Sequence, residues 1–209
     1  IMSHSDDKGL VLPPRLAAQK ATLIPILAKK VDPEVMLSEA RKLAEETGLG
    51  RAIHIDDRAN VSPGWKYNDW EKSGVPLRIE LGPRDLEKGQ AVLVRRDTGE
   101  KIFASRDKLP ELIQATLETM QKDMFQRALA FRKERTYPVE DEAEFRAKLE
   151  DPGGFLMAHH CNERECEERI QAETKATIRC IPLDAKEEKG SCPFCGKPSN
   201  KRVIFAKAY

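Results

Sequence analysis

The sequence holds 209 residues, 40% hydrophobic and 34% charged, with a formal net charge of +1; these are the proportions of a folded protein with a solvated surface, not of a disordered chain. No apolar run, such as residues 21–28, is long enough to span a bilayer, and the N-terminus has neither the apolar core nor the cleavage pattern of a secretory signal. The five cysteines, odd in number and clustered, suit a reducing compartment and a metal site better than a disulfide framework, so a cytoplasmic protein with no membrane partner is expected.

In chain order, residues 1–17 show no period, and Pro13-Pro14 blocks both helix and central strand. They open on Ile1-Met2-Ser3-His4, which reads as the inside of a continuing segment, so a longer parent chain is expected. Residues 21–27 form a compact apolar strand whose Pro25 implies an edge or a bulge. Asp32-Pro33 starts a helix, with Asp32 as N-cap and Pro33 at the first helical position, and Gly48 closes it. Residues 51–56 read as a second strand, 63–73 as a helix opened by Ser62, and 77–81 as a third strand. Residues 91–96 and 101–104 pair as a hairpin around Asp97-Thr98-Gly99, and a long helix runs from about 107 to 135.

Strands alternating with helices in this way predict an α/β fold, a mixed and mostly parallel five-stranded sheet covered by helices. Tyr137-Pro138 marks a boundary, and residues 136–209 make a smaller α+β unit built around cysteines.

Net charge does not by itself announce a nucleic-acid partner, but the distribution of charge is uneven. Residues 51–108 carry twelve Lys/Arg against ten Asp/Glu, whereas residues 140–173 carry four against eleven. A phosphate backbone is repelled by the second region, so any RNA contact is expected in the first half, and a DNA-reading role for the cysteine unit is not expected. Residues 63–85, PGWKYNDWEKSGVPLRIELGPRD, set two Trp, one Tyr, two Glu, two Arg and two Asp on short elements punctuated by Gly and Pro. Aromatic faces can stack on bases and charged side chains can pair with base edges. The same segment also reads as an ordinary amphipathic helix followed by an amphipathic strand.

The cysteines follow the pattern Cys161-x4-Cys166, twenty-five residues, then Cys192-x2-Cys195-Gly196. Two knuckles of two thiolates each can close a tetrahedral zinc site. Four Cys leave no open position, so the zinc is expected to be structural rather than catalytic. His159 and His160 are rival ligands read here as neighbours of a filled site, and Cys180 is read as a small buried residue on a strand.

Four segments then point one way. Residues 4–17, HSDDKGLVLPPRLA, resemble the exit of a class II synthetase catalytic core after its third motif, with Ser5 where the family usually has Gly. The α/β unit resembles the anticodon-binding domain of prolyl-tRNA synthetases, and the cysteine quartet resembles the zinc domain of the form that carries one at its C-terminus. The ending IFAKAY resembles the family terminus.

The resemblance implies a C-terminal region of a proline–tRNA ligase: residues 1–17 close the catalytic core, 18–135 bind the anticodon and 136–209 bind zinc. It implies that Glu71, Arg78, Arg84 and Asp85 read anticodon bases, and that the partners are proline tRNA, proline and ATP with Mg²⁺, in a homodimer. No Gly-rich phosphate loop with its Lys is present, so ATP and proline are expected to be held by an upstream core, and these residues alone are expected to be inactive. Two other readings stay open: a freestanding RNA-binding adaptor, and a zinc unit that serves assembly.

Overall fold

The computed structural model describes residues 2–27 and 31–207, and the chain divides into two compact units, Ile1–Ala128 and Leu129–Tyr209. In the first, β1 (Ala21–Pro25), α1 (Pro33–Glu46), β2 (Ile53–Ile55), α2 (Pro63–Ser73), β3 (Leu77–Leu81), α3 (Pro83–Glu87), β4 (Gln90–Arg95) and β5 (Lys101–Ser105) precede the long helix α4 (Leu109–Glu134). The strands form one sheet in the order β2-β1-β3-β4-β5.

Pairings β1–β2 and β1–β3 are parallel, while β3–β4 and β4–β5 are antiparallel. The sheet is thus evenly mixed, not mostly parallel. Eight residues join β3 to β4 and hold only the short α3, too few for the crossover that a parallel return demands. Residues 50–52, which the sequence pattern places partly in a strand, wind into a 3-10 turn before β2. Pro25 stands in a central strand. Because β2 ends opposite Leu23, the proline lies where one side of β1 has no neighbour, and its missing N–H costs no ladder bond.

One sheet face carries Leu23, Leu77, Ile79, Leu81, Ala91 and Leu93, which bury against Met36, Ala40 and Leu43 of α1 and Leu109, Ile113, Leu117 and Met120 of α4. Period-2 alternation sends Arg78 and Glu80 to the opposite face, and α2 contributes the residues that meet them there.

The second unit has a four-stranded sheet in the order β6-β7-β11-β8, from β6 (Thr136–Pro138), β7 (Phe155–His159), β8 (Ala176–Cys180) and β11 (Arg202–Lys207). Helices α5 (Glu142–Glu150) and α6 (Arg164–Thr174) complete its core, and β9 (Gly190–Ser191) pairs with β10 (Pro198–Ser199). Phe145 sits at the centre, edge-on to Phe194 at 5.0 Å and to Phe205 at 5.3 Å. This is the small α+β unit that was expected. Cys180, however, is exposed. It ends the edge strand β8 just past a register shift opposite Ile204/Phe205, so the alternation that would have buried it is broken. The sequence ending compared with the family terminus includes Ala208 and Tyr209, which lie outside the described residues.

Candidate nucleic-acid interface and metal centre

Helix α2 owes its bounds to its flanks. Ser62 accepts from the Trp65 N–H, Pro63 occupies the first turn, and Gly74 closes the helix in the left-handed conformation at φ 75°. Along its inner side lies a buried ionic cluster centred on Asp56, whose carboxylate is fully shielded. It accepts from Arg58 Nε at 2.9 Å and Nη2 at 2.7 Å, and from the Trp70 indole at 2.8 Å. Lys66, also buried, donates to the Asp56 carbonyl at 2.8 Å and stands 3.6 Å from its carboxylate. Burial opposes the charge on Asp56, but the hydrogen bonds from Arg58 and Trp70 and the charge of Lys66 hold its carboxyl well below the usual range. Sequence reasoning did not single out Asp56. Its only local signal is an Asp ending a strand two residues before an Arg.

The next turn of α2 carries Glu71. Arg78 of β3 donates through Nη1 to Glu71 Oε1 at 2.9 Å and through Nε to Glu80 Oε1 at 2.9 Å. Its guanidinium lies 4.2 Å above the Tyr67 ring. Burial pushes the Tyr67 phenol up to about 12, with the charge of Glu80 adding to the effect. Glu71 Oε2 has no partner among the described residues, and the Glu71 side chain is 28% exposed against 10% for Arg78.

The structure thus brings Glu71 and Arg78 together, and the other two expected base readers make no bond to either of them. Arg84 is exposed on α3, and its side chain has no hydrogen bond or ion pair among the described residues. It stands six positions after Arg78, a chain reach of at most about 20 Å. Asp85 caps the short helix: Oδ2 accepts from the Gly82 N–H at 3.0 Å and Oδ1 from Gln90 Nε2 at 3.1 Å. Helix α3 itself was not expected, because Gly82-Pro83 reads as a bare turn and five residues are too few for a helical period to register.

In the smaller unit Cys161 follows β7, Cys166 lies on α6, and Cys192 and Cys195 flank a turn closed by the Gly196 N–H donating to the Cys192 carbonyl at 2.8 Å. Gly196 takes a φ of 71° there, a conformation that favours glycine. The four sulfurs lie within 4.8 Å of one another, with Cys166 Sγ and Cys192 Sγ 3.8 Å apart. Zinc–sulfur bonds of about 2.3 Å in a tetrahedron put the sulfurs roughly 3.8 Å apart, so the donor set fits zinc in both chemistry and spacing.

Burial, with hydrogen bonds from the neighbouring sulfurs, drives the Cys166 thiol well up. A cation is what makes four clustered thiolates tolerable at neutral pH. His159 and His160 stay outside the cluster. His159 Nδ1 lies 3.2 Å from Ser199 Oγ, and His160 Nδ1 accepts from the Asn162 N–H at 3.1 Å.

By class the chain joins an anticodon-binding module to a synthetase C-terminal module. Residues 20–116 match the anticodon binding domain family, and residues 143–209 match the prolyl-tRNA synthetase C-terminal family. Proline–tRNA ligase 2 of Clostridioides difficile is 43% identical over 209 residues, which cover 100% of this chain and 43% of that protein. The proline–tRNA ligase of Pelodictyon phaeoclathratiforme is 45% identical over 218 residues, 100% of this chain and 44% of that protein, and one from Porphyromonas gingivalis is 44% identical over 210 residues, 100% and 42%. The chain belongs to the prolyl-tRNA synthetase family and corresponds to its C-terminal part. It spans less than half the length of the curated relatives it matches.

Proposed function

We propose that the α/β unit binds the anticodon loop of proline tRNA, and that it does so in the service of ATP-dependent attachment of proline to that tRNA. The observation that carries this reading is the carboxylate of Glu71, half-presented at the end of α2, held on one oxygen by Arg78 and open on the other. An unpaired guanine offers N1–H and N2–H₂ as a donor pair that such a carboxylate accepts. Its other edge offers O6 and N7, which a planar guanidinium grips with two hydrogen bonds. The uncommitted Arg84 supplies that guanidinium.

Arg78, already engaged with Glu71 and Glu80, reads a base chiefly by fixing Glu71. Asp85 completes the set by presenting Arg84 on a capped helix. Two guanines, the bases shared by proline anticodons, match one acid and two arginines.

In the ligase we assign proline, ATP and Mg²⁺ to a catalytic core preceding residue 18, with residues 1–17 as its exit, 18–135 as the anticodon-binding domain and 136–209 as the zinc domain. Zinc would be held by Cys161, Cys166, Cys192 and Cys195. Bound there it supplies cross-linking of β7, α6 and the Cys192–Cys195 turn, and no reaction step. A cytoplasmic homodimer is the assembly we assign to the ligase.

The test is binding of anticodon stem-loops with altered guanines. Inosine, which lacks the 2-amino group, should weaken binding to the wild-type chain and not to Glu71→Ala. 7-Deazaguanine should weaken the wild type and not Arg84→Ala. Equal binding of all stem-loops by the wild type would overturn the reading.

A further inference from the structure

Arg96, the residue after β4, joins the end of α2 to the N-terminal segment. Its side chain is 5% exposed. Nε donates to the Glu71 carbonyl at 2.8 Å, while Nη1 and Nη2 grip Asp6 at 2.8 and 2.6 Å. Hydrogen bonds from Arg96 bring the Asp6 carboxyl down to about 2.

Around this pair the segment lies along the helix end: the Leu10 N–H donates to the Lys72 carbonyl at 3.0 Å and the Leu12 N–H to the Gly74 carbonyl at 3.3 Å. The approach leaves no room for side chains. A Cβ on Gly9, at φ 133°, would stand 2.5 Å from Lys72 Cα, and one on Gly74 would stand 2.6 Å from Leu10 Cβ.

The Glu71 carbonyl also accepts the Gly74 N–H at 3.1 Å, so Arg96 and the helix C-cap share one acceptor. Residues 2–12 form no helix and no regular strand, and Asp6 itself is 47% exposed. Such a segment belongs to the low-stability end of a fold, and its attachment falls on the very turn that presents Glu71.

We propose that Arg96 makes docking of residues 2–12 and ligand recognition at Glu71 one linked equilibrium, so that a guanine-bearing single-stranded RNA loop and the docked segment each favour the other. The ligand rests on the anticodon reading above. The physical argument is that the last turn of α2 is shared. A base bonded to the Glu71 carboxylate requires that turn to be fixed, and the fixed turn is the surface on which Leu10 and Leu12 dock. Linkage of this kind is reciprocal. Arg96 and Asp6 are positioning residues, since neither touches the base.

Hydrogen exchange on the 209-residue chain, with and without a guanine-bearing anticodon stem-loop, tests this alongside stem-loop affinities. Asp6→Asn removes the charge at a half-exposed position outside the sheet, so the fold persists. RNA should slow exchange at the Leu10 and Leu12 amides. Asp6→Asn should speed exchange at those amides and at Gly74, weaken stem-loop binding about five- to tenfold, and lower guanine-over-inosine discrimination, which a merely stabilising pair would not move.

In Arg96→Lys a point charge cannot hold both Asp6 and the Glu71 carbonyl, so adding Asp6→Asn to that background should change little further. If the chain binds guanine-bearing RNA but Asp6→Asn binds it as tightly, with Gly74 exchange unchanged, the linkage is wrong and the anticodon reading survives. If the wild type shows no guanine-dependent binding, the anticodon reading fails and takes the RNA half of the linkage with it. Faster Gly74 exchange in Asp6→Asn would then still uphold the tie between segment and helix.

Discussion

The α2 face of the five-stranded sheet and the cysteine cluster of the smaller unit hold their side chains by opposite means. On the α2 face the buried and half-buried charges find counter-charges among the described residues: Asp56 with Arg58 and Lys66, Glu71 and Glu80 with Arg78, Asp6 with Arg96. The cysteine cluster gathers four sulfurs within 4.8 Å of one another, and burial opposes the ionisation of Cys161 and Cys166. A self-neutralised network can be assembled by folding alone, whereas a thiolate cluster asks for an ion from outside. Perturbation should therefore act locally and gradually on the first and all at once on the second.

The largest effect expected from this contrast is on metal removal. Structural zinc in small domains contributes roughly 10–16 kcal/mol of apparent binding energy, which is folding energy. Chelation, or Cys192→Ser, should melt the smaller unit while leaving the α/β unit folded. Elemental analysis and residue-resolved hydrogen exchange check this; a zinc-free chain with an intact smaller unit would break the contrast.

Next comes Asp56→Ala, which leaves Lys66 and the inner end of Arg58 without their counter-charge and should destabilise the α/β unit by about 3–5 kcal/mol. The sign with pH follows from the lowered carboxyl. A depressed folded pKa contributes stability that is fully present above the unfolded value, about 3.9, and is lost as pH falls towards the folded one. Denaturant titrations between pH 5 and pH 2 (roughly the window below the ordinary carboxylate range) should show the wild type weakening and Asp56→Ala, already lacking that contribution, weakening less.

The same contrast governs which features are legible in the amino-acid sequence. The metal site is legible because four ligands of one rare type announce themselves by spacing, and Cys161, Cys166, Cys192 and Cys195 do converge. Helix α2 is legible from Ser62, Pro63 and Gly74, and β3 from its alternation, with bounds that match. The pairing of Glu71 with Arg78 follows from the short turn between those two elements.

Asp56 with Trp70, and Arg96 with Asp6, are not legible. These pairs lie 14 and 90 residues apart, and charged residues are too common in this chain for any one pair to stand out. The antiparallel return of β4 escapes a reading of composition for a related reason. It depends on how few residues connect it to β3, not on which residues either strand contains.

A further expectation distinguishes free charges from satisfied ones. Arg84→Ala should cost about 1–3 kcal/mol of guanine discrimination, measured as the affinity ratio between guanine and 7-deazaguanine stem-loops. A uniform loss for all stem-loops, with a shallower salt dependence, would instead make Arg84 a phosphate contact.

The smallest effect separates Asp85 from Arg84, its neighbour in sequence. Both oxygens of Asp85 are occupied, by the Gly82 N–H and by Gln90 Nε2, so its carboxylate has a structural use before any RNA arrives. Asp85→Ala removes both bonds and should cost about 0.5–2 kcal/mol, the scale of a lost helix N-cap. Asp85→Asn keeps one oxygen for the Gly82 N–H, and Gln90 can turn its amide to offer Oε1 to the new side-chain NH₂. Its stability should therefore lie within about 0.5 kcal/mol of wild type, and Arg84 should remain presented as before. If Asp85 acts only through α3, guanine preference in Asp85→Asn is unchanged. If its carboxylate also accepts from a base, replacing an oxygen with an NH₂ donor sets donor against donor, and guanine discrimination falls as far as in Arg84→Ala. The stability measurement and the stem-loop ratio, taken on the same protein, decide between a cap and a reader.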